Sequence, residues 1–202
     1  GTLLRRKFEG AATGWLIVTS ISSEYGYAAK KVDQRAEEIT NVSNLYDFDA
    51  VFELQFPTTR LDQVPVGDLV DGIASVFKTF QPNEVFLPHP GDVHTDHGAV
   101  FNAAVACTKW FRYPSVNRVL IYETLSETDF SMGTAKEFRP NVFVDIEPYL
   151  ESKLTAMSLY SSELGEFPFP RSLKAMRALA ALRGAASGFK AAEAFELLRE
   201  RY

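Results

Sequence analysis

The segment EVFLPHPGDVHTDH, residues 84–97, carries all three histidines of the 202-residue chain, with two aspartates among them. Its first four residues predict a short strand that Pro88 ends. From Asp96 to Phe111 the apolar side chains follow helical spacing, which predicts a helix with Trp110 and Phe111 facing inward. The histidines therefore lie between the end of a strand and the start of a helix, where open α/β sheets bind ligands.

The same alternation of strands and helices extends along the chain and predicts an α/β fold. We expect a Rossmann-like three-layer sandwich with a mainly parallel sheet flanked by helices. Further strands are predicted at residues 15–19, 50–54, 118–123 and 141–146, and further helices at residues 31–46, 68–80 and 148–161. The last forty residues are predicted to be helical in two segments broken near residues 184–188. Without a repeat or a linker, the sequence predicts one domain over residues 1–202.

The composition excludes several classes of function. Apolar residues make up 46% of the chain, and 21 basic residues stand against 26 acidic ones. No basic tract suits nucleic acid or an anionic membrane, and no apolar run reaches the roughly 20 residues that a membrane-spanning helix needs. The single cysteine, Cys107, cannot form an internal disulfide and is predicted to pack on the apolar face of its helix. These features favour a cytoplasmic protein.

His94, Asp96 and His97 form the candidate chemical centre. Imidazole and carboxylate bind divalent metals, and imidazole also transfers protons near neutral pH. The trio could combine a metal ligand with a proton-transferring imidazole held by a carboxylate, which is half of a hydrolytic site. The alternative is a polar loop in which Asp96 is the N-cap of the helix.

His89 and Asp92 allow two interpretations. With His94 and His97 they could form a self-contained metal site, although four ligands within nine residues rarely converge on one ion. We favour the second interpretation, in which Asp92 is an orienting carboxylate in the pocket and His89 belongs to the pocket wall.

This segment resembles the second motif of the PIG-L/LmbE-type zinc de-N-acetylases. These enzymes remove acetyl groups from N-acetylglucosamine-type sugars. The subgroup found with bacterial surface-polysaccharide genes is a narrower resemblance, carried by Phe56-Pro57, Tyr122-Glu123 and Phe167-Pro168-Phe169-Pro170-Arg171-Ser172. Further matches follow in family order along the chain: Arg35-Ala36-Glu37-Glu38, Phe143-Val144-Asp145-Ile146 with Lys153 and Tyr160, and Gly188 with Ala192-Glu193-Ala194-Phe195.

The resemblance implies a role for each matching residue. His97 would be a ligand of Zn²⁺, and His94 would stabilise the oxyanion or protonate the leaving amine, with Asp96 orienting it. The family's first motif, His-Pro-Asp-Asp-Glu, has no match. Gly1-Thr2-Leu3-Leu4 resembles the helix start that follows it, so we expect the first strand to be missing. That motif supplies two zinc ligands and the general base, so we expect this chain to be inactive and not to bind zinc tightly.

The expected substrate is an amino-sugar-containing small molecule or glycolipid, and five residues are candidates to contact it. They are Arg35, Asp92, Arg60, Asp62 and Glu123. Arg35 could instead form a surface ion pair with Glu38, and Arg60 and Asp62 could simply be polar loop residues. Two other functions stay open: a non-catalytic carbohydrate-binding or complex-forming protein that has lost its metal site, and an unrelated hydrolase that uses the histidine cluster alone.

Overall fold

A computed structural model describes residues 1–132 and 137–202. Its helices are α1 (Thr2–Phe8), α2 (Ala29–Tyr46), α3 (Val66–Phe80), α4 (Thr95–Ala106), α5 (Leu150–Leu159) and α6 (Leu173–Ala185). Its strands are β1 (Gly14–Ser20), β2 (Ala50–Pro57), β3 (Glu84–Pro88), β4 (Arg118–Tyr122), β5 (Val142–Asp145) and β6 (Ala192–Glu200). The α/β class is therefore confirmed, and most predicted elements lie within a few residues of their observed bounds.

The strands form two sheets. β1 pairs with β2, and a four-stranded sheet has the order β3-β4-β6-β5. β3 and β4 are parallel, with Glu84 opposite Arg118 and Pro88 opposite Tyr122. β6 pairs antiparallel with β4, and a bulge interrupts the register between Val119 and Leu120. The sheet is thus mixed.

The prediction of a helix at the end of the chain was wrong, because residues 192–200 form strand β6. Alanine, glutamate and leucine favour a helix in isolation, which misled the prediction. Pairing with β4 and the burial of Ala192, Ala194 and Phe195 outweigh that preference. The break near residues 184–188 is present, since α6 ends at Ala185 and Gly188 has a φ of +80°.

Helix α4 also ends earlier than predicted. It stops at Ala106, and the side chains of Trp110 and Phe111 are 60% and 62% exposed rather than inward. The chain turns back after Cys107, so that Tyr113 enters the core and packs edge-on against Phe77 with ring centroids 6.2 Å apart. Cys107 itself is fully buried, as predicted.

The described residues divide into two compact units. The first comprises residues 1–15, 21–51 and 143–194, and the second comprises residues 16–20, 52–142 and 195–202. The assignment of residues 1–202 to one domain stays a prediction. The core of the second unit packs α3 and α4 around apolar side chains that include Ile73, Ala103 and Val119. This packing fixes the direction of β3 and α4, and thereby the loop between them that carries the histidines.

Candidate active site

His94 lies at the junction of the loop and helix α4, and it is the N-cap of that helix. Its backbone is extended, and its ring Nδ1 accepts a hydrogen bond of 3.2 Å from the amide of Asp96. The interpretation of Asp96 as the N-cap is therefore wrong. Imidazole Nδ1 stands at the same distance along the side chain as the oxygen of the usual asparagine or aspartate cap, so it can satisfy the same free amide.

The capping bond determines which nitrogen of the His94 ring carries hydrogen. Nδ1 must offer its lone pair to the amide of Asp96, so the neutral ring carries its hydrogen on Nε2. His94 therefore presents an N–H donor.

His97, in the first turn of α4, has the opposite arrangement. Its Nδ1 lies 2.7 Å from the Oδ2 atom of Asp92, a side chain with no exposed surface. An ionised carboxylate only accepts hydrogen bonds, so Nδ1 carries the hydrogen and Nε2 keeps its lone pair. The His97 side chain remains 25% exposed, and the lone pair on Nε2 is of the kind that binds a metal ion.

The two imidazoles lie side by side. The rings of His94 and His97 are stacked, with centroids 5.0 Å apart and an angle of 13° between their planes. One ring thus offers a donor next to the lone pair of the other.

Asp96 is buried and joins the helix to a neighbouring loop. Its carboxylate accepts hydrogen bonds from the amides of Thr59 (2.6 Å) and Leu61 (3.2 Å). These contacts hold the segment that carries Arg60 and Asp62 against the start of α4. Arg60 and Asp62 are both exposed. The contacts with Asp96 bring them beside the loop between β3 and α4 that carries the histidines (the histidine loop).

The remaining candidates divide between the two units. Glu123 directly follows Tyr122, the residue paired with Pro88, so it leaves the sheet at the same edge as the histidine loop. His89 is buried and packs edge-on against Phe138, with ring centroids 5.5 Å apart. In the first unit, Arg35 pairs with Glu38 (3.5 Å) and Glu163 and covers the ring of Tyr160. The ion pair between Arg35 and Glu38, which was the alternative to substrate binding, is therefore present. The substrate-binding roles of the five candidate residues stay predictions.

Thr128 is a site residue that the sequence analysis missed. Its hydroxyl donates a 2.5 Å hydrogen bond to Oδ1 of Asp92. Burial, and to a smaller extent the charge of Asp92, raises the pKa of the neighbouring Tyr122 to about 12. A signal was available, because Thr128 lies in a polar loop that follows strand β4 at the edge where ligands bind.

The metal ligands offered by the described residues are incomplete. His97 fits the role of one zinc ligand, because a carboxylate bound to its Nδ1 is the usual support of a metal-binding histidine. Across residues 1–132 and 137–202, no three His, Cys, Asp or Glu side chains form a group that could hold a metal ion. The self-contained site built from residues 89–97 therefore receives no support.

Comparisons with known proteins agree with the resemblance in the sequence. The family profile described as "GlcNAc-PI de-N-acetylase", PIG-L, matches residues 1–108. An uncharacterized deacetylase of Escherichia coli K12, YaiS, is 29% identical over 135 residues, which are 63% of this chain and 65% of that protein. The diacetylchitobiose deacetylase of Thermococcus kodakarensis is 25% identical over 165 residues, which are 80% of this chain and 59% of that protein.

The chain thus spans less than two thirds of these curated relatives. Among solved structures, the conserved protein TT1542 of Thermus thermophilus is similar over 100% of this chain and 88% of its own, with 27% identity and a TM-score of 0.77. In the described residues, no helix is both long and apolar enough to span a bilayer.

Proposed function

The chain belongs to the PIG-L family of GlcNAc-PI de-N-acetylases, and from this premise we propose that it is a zinc-dependent hydrolase that removes an acetyl group from an N-acetylated amino sugar. The sugar would be part of a glycolipid, a glycoside or a polysaccharide precursor. The deacetylase relatives support the reaction type.

One observation carries the proposal: the stacked rings of His94 and His97 present opposite functional atoms. Amide hydrolysis needs a donor where negative charge develops on the carbonyl oxygen, and it needs an activated water. His94 offers the donor through Nε2–H, and the Nε2 lone pair of His97 can hold a metal ion. Zinc, when bound, supplies a Lewis acid that polarises the acetamide and lowers the pKa of water.

His94 and Asp96 would have separate roles in the reaction. The Nε2–H of His94 donates a hydrogen bond to the oxyanion of the tetrahedral intermediate. The backbone amide of Asp96 donates to Nδ1 of His94 and thereby keeps the hydrogen of the ring on Nε2.

The candidate sugar contacts lie mostly around the histidine loop. Arg60 and Asp62 flank Leu61, whose amide donates to the carboxylate of Asp96, and Glu123 directly follows strand β4. We propose that these three residues contact the sugar, with Asp92 as an orienting group. Arg35, in the first unit, stays a candidate for the same role.

We further propose that these 202 residues alone bind zinc weakly and are inactive. Catalytic zinc sites use three protein ligands, whereas the residues described here include one fitting ligand, His97. Cytoplasmic localisation, inferred from the lone cysteine, also remains a proposal.

The test uses the protein as its gene encodes it, with bound zinc and acetate release measured in parallel. His97→Ala should lose the metal. His94→Asn should keep the metal and the helix cap, because asparagine is a good N-cap, yet lose about a hundredfold in turnover because the Nε2–H donor is gone. Full zinc content together with full turnover in His97→Ala would contradict the assignment.

A second function is favoured by one observation, the incomplete ligand set among the described residues. A protein of this fold without a metal site would bind an N-acetylated sugar without hydrolysing it. The coding sequence before Gly1 distinguishes the two functions: a His-x-x-Asp motif there supports the enzyme. Saturable sugar binding with no acetate release, in a protein that lacks this motif, supports the binding function.

A further inference from the structure

Thr128 is the second member of a series of hydrogen bonds that links Thr124 to His97. The amide of Thr124 donates to the Thr128 hydroxyl oxygen over 2.8 Å, and that hydroxyl donates to Oδ1 of Asp92 over 2.5 Å. The other carboxylate oxygen of Asp92 faces Nδ1 of His97 at 2.7 Å. Four residues from three parts of the second unit are thus linked in series.

The direction of these bonds follows from the number of hydrogens available. A threonine hydroxyl has one hydrogen, and an ionised carboxylate can only accept, so that hydrogen points to Asp92 while the hydroxyl oxygen accepts from the amide of Thr124. With Oδ1 occupied, the Oδ2 atom of Asp92 accepts from His97. The carboxylate of Asp92 therefore sets the direction of both side-chain bonds, because the Thr128 hydroxyl and Nδ1 of His97 must each donate to it.

Burial makes this order costly to break. The Asp92 side chain has no exposed surface, and a buried carboxylate requires partners for its oxygens. The two loops are also joined through their backbones, because the amide of Val93 donates to the carbonyl of Glu127. This backbone contact holds Thr128 close to Asp92. The hydrogen bond between the two side chains therefore does not depend on the rotamer of Thr128 alone.

We propose that Thr128 is a positioning residue that fixes Asp92 and keeps His97 in the tautomer with hydrogen on Nδ1 and the lone pair on Nε2. The use of that lone pair as a metal ligand rests on the proposed function, whereas the tautomer itself does not. Without the hydroxyl, Asp92 can rotate, and the imidazole loses the partner that distinguishes its two nitrogens.

The experiment records the ring nitrogens of His94 and His97 by long-range ¹H–¹⁵N NMR at a pH well above the ordinary imidazole pKa of about 6.5. The variants are Thr128→Val, which has the same shape without the hydroxyl, and Thr128→Ser, which keeps it. We expect two well-separated nitrogen shifts for His97 in the parent protein and in Thr128→Ser. In Thr128→Val the two shifts should move together, because both tautomers become populated.

His94 is the control within each spectrum. Its tautomer is set by the amide of Asp96, so its shifts should stay the same in Thr128→Val. Convergence of the His97 shifts with an unchanged His94 supports the proposal. Unchanged His97 shifts in Thr128→Val overturn it, even if deacetylase activity is later demonstrated. General disturbance of both rings in Thr128→Ser, which retains the bond, also overturns it.

Zinc affinity then tests the function separately. Loss of a group that supports a metal-binding histidine typically weakens metal binding about 10–100-fold, and we expect Thr128→Val to fall at the lower end of that range. A changed His97 tautomer with no change in zinc affinity would contradict the metal-ligand role of His97 while leaving the positioning role of Thr128 established.

Discussion

Each unit contains a carboxylate that accepts hydrogen bonds from distant parts of the chain, and the two differ in what their partners leave available. In the first unit, Glu193 accepts from Lys153 Nζ and from the amide of Thr2, each at 2.7 Å. In the second unit, Asp92 accepts from Thr128 and His97. The amide of Thr2 has a single hydrogen, which Glu193 occupies. The imidazole of His97, by contrast, retains a second nitrogen, and its side chain is partly exposed.

This difference separates a structural cluster from a candidate site. Burial alone would raise the pKa of the Glu193 carboxyl, but the charge of Lys153 and the hydrogen bonds together hold that pKa well below its usual range. These contacts join strand β6 to helices α1 and α5 within the first unit. Because chemistry needs a functional atom that a substrate or metal can reach, the shifted pKa of Glu193 is a sign of stability, and the Asp92–His97 pair is the place to look for function.

The largest effect is expected from removal of Glu193. Glu193→Ala leaves Lys153 and the amide of Thr2 without their carboxylate, and loss of one partner of a largely buried pair should lower the free energy of unfolding by about 3 kcal/mol. Denaturant unfolding measures it. Glu151→Ala is the matched control, because that carboxylate also pairs with a basic side chain, Arg177, but is 75% exposed, so little change is expected. Equal losses in the two variants would remove the distinction.

Asp96 should behave like Glu193, although it lies next to the histidines. Asp96→Ala leaves the buried amide of Leu61 and the amide of Thr59 without an acceptor, for an expected loss of about 2 kcal/mol in the free energy of unfolding. Asp62→Ala, in the neighbouring exposed position, should change stability by about 0.5 kcal/mol or less. A loss confined to turnover, with unchanged unfolding, would instead make Asp96 a purely catalytic group.

The pH dependence of stability sharpens the comparison. The pKa of Glu193 is lowered in the folded protein, so its contribution is present above the unfolded value of about 4.3 and is lost as the pH falls below it. The stability difference between the parent protein and Glu193→Ala should therefore shrink by about 1.4 kcal/mol per pH unit below about pH 4. Parallel stability curves for the two proteins would contradict the assignment.

The smallest effect concerns the helix cap. His94→Ala should lower the free energy of unfolding by about 1 kcal/mol, because the amide of Asp96 loses its acceptor, whereas His94→Asn should restore most of that loss. Thermal or denaturant unfolding of the two variants measures the difference. Identical stability of both variants would indicate that the ring of His94 does not cap α4.

The sequence predicted local features better than distant pairings. Strand β3, the histidine loop and helix α4 were placed to within one residue at their shared boundaries, because strand and helix periodicities are local signals. The distant residues that bind Asp92 and Asp96 were not predicted, since Thr128 and the amides of Thr59 and Leu61 are more than thirty positions away. Strand β6 was missed for the same reason, because pairing with β4 determines its conformation.

The central claim is that His94 presents a hydrogen-bond donor and His97 a metal-binding lone pair. The most direct test is a zinc titration followed through the ring nitrogens of both histidines by NMR. We predict that the Nε2 resonance of His97 responds to zinc while His94 keeps its hydrogen on Nε2. A response of His94 Nε2 in place of His97 Nε2, or the same tautomer in both rings before zinc is added, would contradict the claim.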